Sequence, residues 1–231
     1  MIQVAAVSLV DPLDTRQFDK LIKTVSMEKR RRIYRFRMHE DAQRTLLGDI
    51  LARYLVCKQH NVKNCELVFG TNAYGKPYLL NDTRIQFNIS HSGKWVVCSL
   101  HHLPVGVDIE QIKPVDISIA ERFFSKSEVQ SLMNKCISER EAYFYELWTL
   151  KESYIKAVGK GLSIPLNSFA INIEQGGNIN IYNINGSNRY FFRQYSIEKG
   201  YKMAVCSQKN EFSDSVEQFD VNQLYEEVLQ L

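Results

Sequence analysis

The sequence predicts an α+β fold: two similar helix-plus-antiparallel-sheet halves packed face to face, with the ligand site in the groove between them. Three observations carry this expectation. Residues 39–60, HEDAQRTLLGDILARYLVCKQH, place Leu46, Leu47, Ile50, Leu51, Tyr54 and Leu55 at helical spacing. Stretches on either side alternate in strand fashion between glycine and asparagine turns. The same order then recurs, and even the strand ends rhyme, SGKWVVCSL against KGYKMAVCSQ.

Taken in order, MIQVAAVSLVDP has the apolar run of a signal peptide but no basic start, and Asp11-Pro12 closes it early. It reads as a first buried strand. The long helix follows, then strands in CELVFGTNAYGKPYLL and IQFNISHSGKWVVCSLHH, and a short one in PVGVDIEQI. We divide the halves at residues 1–110 and 111–231. The second half opens with a shorter helix near Ile117 and a long one over about 139–158, followed by strands in FAINIEQGGNINIYN and YFFRQYSIEKGYKMAVCSQ. The acidic, polar tail after Asn210 is expected to be a peripheral helix or loosely held.

Composition narrows the function classes. A chain of 231 residues with 45% apolar and 24% charged residues is ordinary for a soluble globular protein. Its net charge of +3 is too small to argue for a nucleic-acid binder, and no run approaches a membrane span. Five scattered cysteines without a C-x-x-C read as buried free thiols in a reducing cytoplasm.

Four stretches carry chemistry. In GVDIE, strand alternation turns Asp108 and Glu110 to one side, and paired carboxylates of this kind suit Mg2+ or simply decorate a half-exposed edge. In ELWTLKESYIKAVGKGL, Tyr143, Leu147, Leu150, Tyr154 and Ala157 form an apolar face. Glu152 and Lys156 lie beside that face at i, i+4, the spacing of a common solvated pair. Lys151 falls inside the apolar arc, which suggests snorkelling. In YGKPY and NISHSGKW, Lys76, Ser90 and His91 stand near strand ends, either as a phosphate site or in ordinary turns. EKRRRIYRFR packs six basic residues into ten positions, a solvated face or a polyanion patch whose Tyr34 and Phe36 would permit base stacking.

Together YGKPY, FNISHSG, GVDIE, RFFSKSE and WTLKESYIKAVGKGL resemble, in order and spacing, the surfactin-type 4'-phosphopantetheinyl transferases of nonribosomal peptide synthesis. The resemblance runs from the basic segment to KGYKMAVC. It implies that the two halves are related by a pseudo-twofold axis with coenzyme A bound between them, and a Mg2+-dependent transfer of phosphopantetheine from coenzyme A to a serine of an apo carrier-protein domain. Carried over by position, Asp108, Glu110 and Glu152 would hold Mg2+, and Glu152 and Lys156 would be catalytic. Lys29, Arg32, Thr45, Gly75, Lys76, Pro77, Ser90 and His91 would bind coenzyme A. The segment just after Gly161 would receive the carrier protein. The trimeric holo-synthase branch is about half this length; here one chain supplies both halves, so a cytoplasmic monomer is expected. The competing readings are a Mg2+-dependent nuclease or nucleotidyl transferase built on the same carboxylates, and an RNA-binding module built on the basic run.

Overall fold

Alternation along the strands feeds three apolar cores and so builds four layers, helix, sheet, sheet, helix. The structure is a computed structural model and describes residues 1–183 and 189–231. The first layers comprise β1 (Gln3–Ser8), α1 (Thr15–Leu21), α2 (Met27–Ile33), α3 (His39–His60), the hairpin β2 (Phe69–Thr71) and β3 (Pro77–Leu79), β4 (Gln86–Ser92) and β5 (Trp95–His101). There follow β6 (Val105–Gln111), α4 (Ala120–Phe123), α5 (Lys126–Met133) and α6 (Ile137–Val158). The chain ends with β7 (Ala170–Ile173), β8 (Ile179–Tyr182), β9 (Phe191–Gln194), β10 (Tyr201–Ser207), β11 (Glu217–Asp220) and α7 (Val221–Val228).

One sheet has the order β11-β1-β5-β4 and the other β6-β10-β9. On the outer face of the first, Ala5, Val7, Val96 and Cys98 join Leu46, Leu47 and Ile50 of α3. Its inner face, with Val4, Ala6, Trp95 and Val97, meets Val105, Val107, Ile109 and Val205 of the second sheet. The far face of the second sheet, with Ala204 and Cys206, takes Leu147, Leu150 and Tyr154 of α6. Strand β5 is buried along its whole length and is largely apolar, whereas β6 turns an apolar face to the first sheet and carries Asp108 and Glu110 on the other. The helices α3 and α6 are both 22 residues long and each lies on its own sheet, the duplication expected from the sequence.

Strand pairing corrects two expectations. The boundary at residue 110 falls inside β6, which pairs antiparallel with β10 from Val105 opposite Ser207 to Gln111 opposite Tyr201. GVDIE is therefore hydrogen-bonded into the second sheet. The tail forms a helix, as one of the two expectations had it, but it is not loosely held. β11 joins β1 in parallel, Ala5 opposite Glu217 through Ser8 opposite Asp220, so the first sheet is mixed. Asp220 caps α7 through a capping box, and Val221, Leu224, Tyr225 and Val228 then present one face to the first core. Of the five free cysteines, Cys57, Cys98 and Cys206 are buried as expected, whereas Cys65 and Cys136 are exposed. Among the described residues no helix is long and apolar enough to cross a membrane.

Lys151 does not snorkel. It is 0% exposed, and its ammonium lies 2.6 and 2.8 Å from the two carboxylate oxygens of Glu128 and 2.8 Å from the Phe169 carbonyl oxygen. Glu128 is the N3 residue of the capping box that Ser125 opens on α5, and its Oε1 also accepts from the Ile171 amide of β7. The RFFSKSE and WTLKES motifs thus meet inside the second core and fix α5, α6 and β7 to one another. Replacing Lys151 by Met leaves Glu128 buried and unpaired, so urea denaturation should show a loss of about 3–5 kcal/mol. Lys151→Met with Glu128→Leu should recover only part of it, because the Ser125 and Ile171 amides lose their acceptor.

Candidate active site at the seam between the sheets

The edge strands β4 and β6 meet at the seam through side chains. Strand alternation aims Asn88, Ser90 and Ser92 of NISHS at β6. Asn88 Oδ1 accepts from the Val107 amide at 2.9 Å, and Ser90 Oγ donates to Asp108 Oδ1 at 2.8 Å. Ser92 Oγ donates to Glu110 Oε2 at 2.7 Å and accepts from the Gln111 amide at 3.1 Å. This polar ladder holds both carboxylates of GVDIE in place. Of its three rungs only Ser90 stood among the sequence candidates, although small polar residues at i, i+2, i+4 on a strand are a readable signal.

Helix α6 completes the site. A Cβ on Gly106 would collide with the Ser153 carbonyl oxygen and the Ala157 amide nitrogen, so the helix backbone rests directly on the strand. That approach brings Lys156 Nζ to 2.6 Å from Asp108 Oδ1 and 2.9 Å from Ser90 Oγ. The Lys156 ion pair is therefore made across the seam. The other oxygen, Asp108 Oδ2, is buried without a partner among the described residues. Glu152 is half-buried and makes no hydrogen bond among the described residues. Burial raises its pKa, Asp108 and Glu110 reinforce the rise, and Lys156 opposes it. Burial also raises the pKa of Glu110, with Asp108 adding to the effect and the Ser92 hydroxyl and Lys156 reducing it. Among the described residues no three His, Cys, Asp or Glu side chains form a ready-made metal cage. The three carboxylates are instead electrostatic neighbours around one orphaned oxygen.

Further along β4 is a pocket lined by Lys29 and Arg32 from α2 together with Glu28, Asp49, Thr71, Pro77 and Ile89. Lys29 lies 3.7 Å from Asp49, which is held in turn by Arg53 at 2.6 Å. Burial lowers the Lys29 pKa, Asp49 works against that, and Arg32 adds to it. Thr45 is half-buried on α3, and His91 is exposed at the end of β4. Partial desolvation, then Arg44 and Lys156, lower the His91 pKa. Gly75 lies at the tip of the β2–β3 hairpin. Lys76 is placed differently from the phosphate contact expected: its ammonium points under the end of α6, onto backbone carbonyls. Ser90 is likewise committed to Asp108 and Lys156. Asp49, Arg44 and Asn72 were not among the sequence candidates, because the contacts that tie them to the site, with Lys29, the Gly93 carbonyl and the Gly159 carbonyl, join residues distant in sequence.

A family model described as 4'-phosphopantetheinyl transferase, N-terminal, matches residues 12–102, and one for the 4'-phosphopantetheinyl transferase superfamily matches 104–206. The 4'-phosphopantetheinyl transferase Sfp of Bacillus subtilis (strain 168) is 41% identical over 218 residues, 94% of this chain and 96% of that protein. The chain belongs to the Sfp-type 4'-phosphopantetheinyl transferases. The transferase ffp of Bacillus subtilis is 42% identical over 89% of this chain and 92% of its own length. The transferase gsp of Aneurinibacillus migulanus is 42% identical over 90% and 86%. In this transferase the two matched regions meet immediately before β6, where the second sheet begins. Gly106→Ala should push α6 off β6, lowering stability by about 3 kcal/mol in thermal melts and parting Lys156 from Asp108. A variant as stable as the parent would show that the close approach is not required.

Proposed function

We propose that this transferase moves 4'-phosphopantetheine from coenzyme A to the serine hydroxyl of an apo carrier-protein domain of a peptide synthetase and releases 3',5'-ADP. The observation that carries the site assignment is Asp108, a buried carboxylate with one oxygen shared by Lys156 and Ser90 and the other unpartnered. A buried acceptor left unsatisfied is costly, and the like charges of Glu110 and Glu152 beside it call for a further cation. Mg2+ fits this donor set of hard oxygens. It usually keeps waters and substrate phosphates among its ligands, so a closed protein cage is not needed. Asp108, Glu110 and Glu152 would hold it, and when bound it neutralises charge on the coenzyme A pyrophosphate.

The chain's own residues account for the remaining chemistry. The carrier serine oxygen bonds to the β-phosphorus, the one bearing pantetheine, and the bond from that phosphorus to the bridging oxygen breaks. The electron pair leaves with 3',5'-ADP. Lys156 donates to an oxygen of the phosphate being transferred, where charge must be stabilised. The serine proton passes to Glu152 or, where that carboxylate is committed to the metal, to a water beside it. Lys29, Arg32, Thr45 and His91 grip the nucleotide phosphates, with Gly75 and Pro77 offering the hairpin backbone to the nucleotide. The carrier docks beside Gly161–Ser163, where α6 has ended and Leu162 is 74% exposed. The groove is built from both halves of one chain, which supports action as a monomer; the free thiols support a cytoplasmic setting.

Incubation with coenzyme A, Mg2+ and an apo peptidyl carrier domain should add one phosphopantetheine to the carrier by mass spectrometry, and chelation of the metal should stop it. Asp108→Ala and Glu152→Gln should each lower kcat about 100-fold or more without unfolding the chain. An unchanged carrier mass with folded enzyme would sink the proposal.

A further inference from the structure

The last carbonyls of an α-helix have no partner within the helix and must find one elsewhere. In α6 the Ile155 carbonyl is taken by the amide of Gly159, which turns left-handed at φ 77° and ends the helix. The next carbonyls are taken by the other half of the molecule. Lys76 Nζ donates to the Lys156 carbonyl oxygen at 2.6 Å, to that of Ala157 at 3.3 Å and to that of Val105 on β6 at 3.0 Å. An ammonium has three N–H donors, and all three are committed. Asn72 Nδ2 donates to the Gly159 carbonyl oxygen at 2.9 Å. Its Oδ1 accepts the Tyr74 and Lys76 amides, both at 2.9 Å, which stiffens the hairpin that carries the clamp. A Cβ on Gly159 would lie 3.1 Å from Lys76 Cδ, so hairpin and helix end are in close contact.

We propose that Lys76 and Asn72 are positioning residues, which fasten the end of α6 to β6 and thereby set where Lys156 and Glu152 stand over the groove, and that Lys76 is not a phosphate ligand. The clamp and the seam ion pair share their elements. Lys156 gives its carbonyl to Lys76 and its ammonium to Asp108, and Val105 is three residues before Asp108 on the same strand. Were Lys76 to turn toward a phosphate, two carbonyls at the helix end and one on β6 would lose their donor. Lys29, with a single ion pair at 3.7 Å, and the exposed Arg32 can meet a phosphate at no such cost. Burial lowers the Lys76 pKa to about 8, consistent with a side chain turned inward. This inference rests on the transfer reaction proposed above and deepens it.

The test uses the full chain, with transfer to an apo peptidyl carrier domain as the activity and calorimetric binding of coenzyme A as a separate readout. Lys76→Met should lower kcat about tenfold or more while the Kd for coenzyme A stays within about twofold. Lys76→Arg should not rescue kcat, because a planar fork does not match three converging carbonyls. Asn72→Ala, which removes no charge and covers the case of a Lys76 variant that fails to fold, should lower kcat in the same pattern. Both Lys76→Met and Asn72→Ala should accelerate amide hydrogen exchange at Lys156–Gly161, a readout independent of activity. A tenfold rise in Kd for coenzyme A in Lys76→Met, restored by Lys76→Arg, would overturn the inference in favour of a phosphate grip (about 1.4 kcal/mol of binding). Unchanged kcat and exchange in Asn72→Ala would overturn it as well. Lack of transfer by the parent chain is a different failure, that of the proposed reaction, and exchange would still report whether the clamp exists.

Discussion

One missing side chain sets the distance between α6 and β6. At Gly106 the helix backbone lies against the strand with no room for a Cβ, and the shared site is built on that contact. Glycine inside a strand ordinarily weakens it, and close approach of another backbone is the usual reason to find one there. Because α6 sits this low, the Lys156 side chain reaches across to Asp108 instead of extending into solvent. The same helix is held on its other side by the buried Lys151–Glu128 pair and at its end by the hairpin of the first half. Fixed from three directions, α6 can present Glu152 and Lys156 with little freedom.

The polar seam is an exception between three apolar cores. The edges of β4 and β6 are bridged by Asn88, Ser90 and Ser92 and not by a backbone ladder, so the two sheets stay separate and the carboxylates of GVDIE remain at the groove. Each half contributes what the other lacks. The first supplies the serines and the pocket with Lys29 and Arg32, and the second supplies the acidic strand and the lysine of α6. Asp108 is satisfied at one oxygen only because all these elements converge on it. Membership of the phosphopantetheinyl transferases displaces the nuclease and RNA-binding readings, which drew on the same carboxylates and the same basic run.

Most elements were legible because their periodicity is local. The α3 helix spans the residues expected of it, and α6 begins two residues before its predicted start. A helix in the tail was expected, but its anchorage to the core was not, because charge masked its spacing: Val221, Leu224, Tyr225 and Val228 form an apolar face once the acidic residues are assigned to the other side. The boundary at residue 110 was misplaced because pairing of β6 with β10 spans almost a hundred residues, and no local signal names a strand's partner. The site motifs were legible as chemistry, two carboxylates, a Glu and a Lys, but the residues that orient them were not.

By itself the sequence determined the two long helices and most of the strands, that the order repeats, and which family the motifs resemble. Backbone propensity and side-chain periodicity act over a few residues, so they are written in the chain. Only the tertiary structure decided that Lys151 is buried on Glu128, that Lys156 pairs with Asp108 rather than with Glu152, and that Lys76 turns to the end of a helix. A lysine side chain is long, and its partner is chosen by whichever carboxylates and carbonyls the packed layers bring within reach. That choice belongs to contacts between residues tens of positions apart, which no local spacing encodes.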